Sequence, residues 1–226
     1  LVKNHNIKFM TCLGIAVGMY SLRFFYYSLP GSDAHSVRGL AEYATATNDL
    51  DWSKPSHSYY QWPLLFILSE ISSSVVGLEL RYFEFLMFAV LGVLYTASLY
   101  VYAAKFSGDG STTAVITYFL TMYWFLNYQF APFSVAMGLL FVLFMLEVCT
   151  HGRYETALAS VVLFTGIVFL HPFAGAFYIL YELARYVIGR DEHNLHLFLL
   201  SSSIYLATSI FLTPVFFPTV VRQLTH

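Results

Sequence analysis

Long apolar windows separated by short polar links run through the chain, and their lengths set the class of structure. A helix needs about 20 mostly apolar residues to cross a bilayer. Windows 7–29, 82–104, 131–149 and 195–217 are the clear cases, and 113–126, 156–170 and 172–188 are shorter ones. Pro132, Pro172 and several glycines fall near window ends, where helices stop and start. The pattern predicts an all-α, polytopic transmembrane helix bundle of about seven spans.

The segment 62–77, WPLLFILSEISSSVVG, is ambiguous because it opens apolar but carries Glu70 and three serines. The basic residues arbitrate. If 62–77 crosses, Lys105, Arg153, Arg185 and Arg190 fall on the side opposite Lys3 and Lys8. If it does not cross, those six share the N-terminal side and Arg38, Lys54, Arg81 and Arg222 lie opposite. Arg23 lies inside the first window and can snorkel outward. Cytoplasmic links collect Lys and Arg, which selects the second topology, with the N-terminus cytoplasmic. Residues 30–81 then form a non-cytoplasmic loop holding a surface helix and the non-spanning apolar segment. Such backbone is tolerated at membrane depth where protein or a water-filled cavity covers it.

Composition agrees with a multi-pass integral membrane protein. The chain is 58% hydrophobic and 11% charged, with 22 Phe and 18 Tyr, whereas a soluble domain carries about a quarter charged residues. A net charge of −2 without any Lys/Arg run argues against nucleic acid as a partner. Cys12 and Cys149 lie in separate apolar windows, so neither a disulfide nor a zinc site is expected. The chain opens on Leu1 and stops at His226 just after an apolar window, so it reads as a fragment, with 1–226 as a single transmembrane module. HExxH, Walker A, GxSxG and paired CxxC motifs are absent from the sequence.

The polar residues of interest collect on the expected non-cytoplasmic face. After the first window comes LPGSDAHSVRGLAEYATATNDLDW, where Pro30 and Gly31 end one helix and Ser32 or Asp33 can cap the next. Val37, Leu40, Ala41 and Ala44 then share one helical face, with Arg38, Glu42 and Thr45 off it, as in a helix lying along the membrane surface. Asp33 serves there either as a cap or as a carboxylate kept ionised for general-base work. In KPSHSYYQWPLLFIL, Lys54 and Gln61 suit a phosphate or a sugar hydroxyl, and Tyr59, Tyr60 and Trp62 equally suit an interfacial aromatic belt. Asn127 and Gln129 stand at the next outer turn, and His171 lies between two apolar windows in FLHPFAGAF. An ionisable group at that depth is either functional or bonded to backbone. His193 and His196 have ligand-like spacing but lie in a polar cytoplasmic link, which reads as a solvated turn.

Order and topology together resemble the GT-C superfamily of membrane glycosyltransferases, closest to the aminoarabinose-transferase and protein mannosyltransferase branches and their prokaryotic relatives. The resemblance covers nearly the whole chain and rests on GSDAH at 31–35, YYQWPLLFIL at 59–68, RYFEF at 81–85 and LHPFAG at 170–175. It implies transfer of a sugar from a polyprenyl-phosphate carrier to a lipid, glycan or protein acceptor outside a prokaryotic cell membrane. By that resemblance Asp33 is the catalytic base and Arg222 meets the carrier phosphate. His35, Lys54, Tyr60, Gln61, Gln129 and His171 would bind substrate. Many members have a second acid after the third span. Asn127, Tyr128 and Gln129 stand there instead, which argues against a metal-dependent mechanism and leaves no certain cofactor. A transporter, expected to show midplane ionisable groups and internal repeats, and a non-catalytic membrane scaffold are the competing readings.

Overall fold

The computed structural model describes residues 2–22, 32–47, 63–127, 131–150, 154–190 and 192–224, and among them it contains helices and no strand. In chain order these are α1 (Val2–Leu22), α2 (Ser32–Thr47), α3 (Pro63–Ser74), α4 (Leu80–Ser107), α5 (Gly110–Asn127), α6 (Pro132–Thr150), α7 (Tyr154–Leu170), α8 (Pro172–Gly189) and α9 (Glu192–Leu224). Each apolar window falls on one of them, the first as far as Leu22. By length and composition, Leu80–Lys105 alone among the described residues could cross a membrane, while Leu64–Ser74, Pro132–Glu147 and Leu158–Leu170 are apolar but shorter.

The centre of the bundle is α4, which packs on α1, α5 and α6 and also touches α2 and α3. A second group of helices joins it through α6, which packs on α7 and α8, while α9 closes against α7 and α8. The first helix is seated by a missing side chain. A Cβ on Gly92 would overlap the ring of Tyr20, so the glycine lets that buried ring lie flat against α4, edge-on to Phe88 at 5.1 Å between centroids.

Contacts sort the helix ends into two sets. At one end Lys8 Nζ donates to Ser111 Oγ at 2.6 Å and Arg185 meets Glu147. At the other, Arg38 lies 3.8 Å from Glu84 and Phe133 packs on His171. The Arg38 contact also decides what α3 does. Arg38 precedes α3 and Glu84 follows it, yet they meet, so α3 does not carry the chain from one end of the bundle to the other.

The apolar face of α2 is covered by protein. Val37, Ala41 and Ala44 are buried where α2 packs on α3 and α4. The hydrophobic area goes to docking α2 because α3 and the start of α4 present Leu65, Phe66 and Phe83 to the same core. Arg38 and Glu42 lie off that face, joined by a 2.8 Å bond, in the arrangement the spacing implied.

The turn between α4 and α5 is built from GDG. Gly108 takes φ +61, a left-handed conformation that costs glycine little. Asp109 Oδ2 accepts from the Thr112 backbone N–H at 2.8 Å and its hydroxyl at 2.9 Å, capping α5. These donors hold the Asp109 carboxyl below the usual carboxylate range, so the cap is present at neutral pH and is lost on acidification through that lowered value.

A second glycine sets spacing elsewhere. A Cβ on Gly175 would lie 2.7 Å from Val168 Cγ2 and 3.3 Å from Tyr205 Cδ2, so its absence lets α8 approach α7 and α9 together. Gly175→Leu should push both neighbours apart and cost about 1–3 kcal/mol by overpacking. Thermal unfolding in detergent checks this, and an unchanged midpoint would show the contact to be slack.

Candidate functional site

Two positions singled out in the sequence, 33 and 171, fall at the end of the bundle where α2 and α3, the first turns of α4 and the joint between α7 and α8 collect. Helix α2 brings position 33 there in its first turn. Asp33 lies one turn before Val37, on the line that Val37, Ala41 and Ala44 continue. The positive end of a helix favours a carboxylate in that turn. His35 stands two residues on; the side chains of both lie outside the described residues, as do Lys54, Tyr60, Gln61 and Gln129 altogether. Arg222 falls in the last turn of α9, about 45 Å along the axis from Glu192 at 1.5 Å per residue, and its side chain is likewise outside the described set.

His171 is described. It ends the α7 ladder by donating its N–H to Ile167 O at 2.8 Å, and its carbonyl accepts from Ala174 at 3.1 Å. Pro172 then starts α8, consistent with proline at the first position of a helix. The imidazole sits between Phe133 and Phe173, with centroids 5.0 and 5.7 Å away. Its end of α7 is joined to α2 through α3, which packs on both; Leu64 of α3 stands 3.7 Å from where a Cβ of Gly166 would be.

Glu84 is the residue the sequence reading missed at this end. It lies in the first turns of α4 under α2, with a side chain 1% exposed. Neither carboxylate oxygen has a hydrogen-bond partner, and Arg38 Nη1 stands 3.8 Å away. Arg38 thereby ties the helix bearing Asp33 to α4 while its Nε binds Glu42. The signal was present in RYFEF, where one acid interrupts an otherwise aromatic entry to a long apolar helix. Arg81 on the same turn stacks on Tyr82, 5.0 Å from its ring centre.

The opposite end holds a second polar cluster. Tyr178 donates to Glu147 Oε1, and Arg185 Nη1 donates at 2.9 Å to both Glu147 Oε2 and Glu182 Oε1. His193 and His196 lie on the exposed surface of α9, as a solvated pair would. Set beside known proteins, the chain matches no family model, no curated protein and no solved structure.

Proposed function

We propose that this chain is a membrane-embedded glycosyltransferase of the GT-C kind, moving a sugar from a polyprenyl-phosphate carrier to an acceptor on the non-cytoplasmic face. The observation that carries the reading is the convergence at one end of the bundle. The helix bearing Asp33, the non-crossing α3, the first turns of α4 and His171 all belong to that end. A site there needs one carboxylate to take the acceptor's proton and one cation to stabilise the departing phosphate. Asp33 fills the first role and Arg222 the second. By the resemblance, His35, Lys54, Tyr60, Gln61, Gln129 and His171 take part in binding substrate.

A bilayer around the bundle is supported by where the polarity lies. Phe119, Tyr123, Leu158, Phe173 and Ile188 are among the large apolar side chains that face outward, more than water-exposed surfaces ordinarily carry. Among the buried hydroxyls, Thr96 bonds to Gly92 O at 2.8 Å and Ser69 to Leu65 O at 2.8 Å, each on its own helix. In this topology the chain is multi-pass with its N-terminus cytoplasmic, in a prokaryotic cell membrane. The carrier's hydrocarbon stays among the lipids and only its head group enters the polar end.

The direct test supplies the full chain in liposomes with dolichyl- and undecaprenyl-phosphate-linked hexoses and follows release of the polyprenyl phosphate. Protein-dependent release from at least one donor is expected; none from any donor overturns the reading. Topology is tested separately by thiol labelling. Glu79 is exposed at the start of α4 and Asp109 at the α4–α5 turn. Glu79→Cys should react from outside intact cells and Asp109→Cys only after permeabilisation, at a cost of about 1 kcal/mol for the lost cap. The reverse pattern would invert the orientation.

A further inference from the structure

The cluster between α6 and α8 has a charge imbalance. Glu147 and Glu182 bring two carboxyl groups and Arg185 one guanidinium, which bonds to one oxygen of each at 2.9 Å. The Glu182 side chain is 0% exposed and that of Glu147 5% exposed, so water does little to screen the surplus charge. The two carboxyl groups share one nitrogen, Arg185 Nη1, at 2.9 Å each, yet Glu182 Oε2 is buried with no donor.

Among the described residues, no other group beside the cluster supplies the missing positive charge. On α8 itself, Tyr178 gives Glu147 a neutral O–H donor and the Tyr181 ring lies 5.4 Å from the guanidinium. From α4 comes Tyr102, beside Tyr181. Next to Tyr178, α7 presents Ser160 and Phe164 and α9 presents Ser201 and Ile204, none of which titrates. A metal ion fits poorly. Three of the four carboxylate oxygens already face N–H or O–H donors, whose hydrogens would point at the ion.

We propose that Glu147 and Glu182 form a proton-binding site, holding one proton between them over the shared guanidinium, and that this proton latches α6 to α8. With it, one carboxyl donates to the other and the cluster is neutral: one guanidinium, one carboxylate, one carboxylic acid. Without it, two buried carboxylates share one guanidinium, which is strongly unfavourable. The folded protein then carries a proton that the unfolded chain, with ordinary glutamates near 4.3, has released at neutral pH. Stability therefore falls as pH rises through the range in which the proton leaves. The site lies at the end opposite Asp33 and does not depend on sugar transfer.

Infrared spectroscopy of the full chain in liposomes tests it. A carbonyl band of a protonated carboxylic acid in dry surroundings is expected at neutral pH. With Glu84, a further buried carboxyl without a hydrogen bond, replaced by Gln throughout, Glu147→Gln and Glu182→Gln should each remove all of it, because either leaves one carboxylate matched to one guanidinium. A band lost in only one variant would mean an ordinary isolated acid, and a band lost in neither would place the proton elsewhere; both results overturn the proposal. In the parent the same band should titrate away on alkalinisation while the helical amide band persists, a reading that needs no variant to fold. Unfolding midpoints should fall on alkalinisation in the parent and fall less in Glu182→Gln. An equal fall in both would also overturn it.

Discussion

Asp33→Asn will reduce sugar transfer by about 100- to 10,000-fold, the contribution of a positioned general base, while leaving the bundle folded. The two side chains have the same shape, so what is removed is the ability to accept a proton as the acceptor attacks the anomeric carbon. The first turn of α2 keeps its backbone either way, because α2 is docked by Val37, Ala41 and Ala44. The experiment compares release of polyprenyl phosphate at equal protein level. Glu42→Gln serves as control, since Glu42 is exposed on the other face of the same helix. Parental rates in Asp33→Asn would reduce Asp33 to a stabilising charge at a helix start and leave the proposed chemistry without its base.

Arg185→Met will be the most destabilising single change at the far end of the bundle. It leaves Glu147 and Glu182 buried with no counter-ion, and breaking a buried ion pair from one side costs about 3–5 kcal/mol. Glutamine at both acids in the same background should recover most of that loss, because two amides need no cation. Chemical unfolding in mixed micelles would measure both. A loss under about 1 kcal/mol, the worth of an exposed pair, would show that water reaches the cluster.

Helix placement was legible from the sequence because the apolar windows are long and their ends are punctuated by Pro and Gly. Even the α2 stripe could be read, from the spacing of Val37, Leu40, Ala41 and Ala44. What covers the α2 stripe could not be read. Periodicity names an apolar face, and lipid and protein satisfy it equally. The pairing of Glu84 with Arg38, and of Glu147 with Glu182, was hidden for a related reason. Each joins helices far apart in sequence, and the hydropathy of a span averages over its single acid. At the candidate site His171 is held between the rings of Phe133 and Phe173, whereas Asp33, His35 and Arg222 are placed by helix position.

The seat of Tyr20 on Gly92 also has a consequence for assembly during synthesis. The first helix docks on α4, so its partner surface does not exist until residue 92 has left the ribosome. At about 5–20 residues per second the 72 intervening residues take about 4–14 s. For that interval the buried face of α1, with Ala16 and Tyr20, must be shielded by something other than its final neighbour. Any factor that escorts the nascent chain would therefore engage α1 first and be displaced by α4, and slowing translation between these two helices should lengthen that engagement.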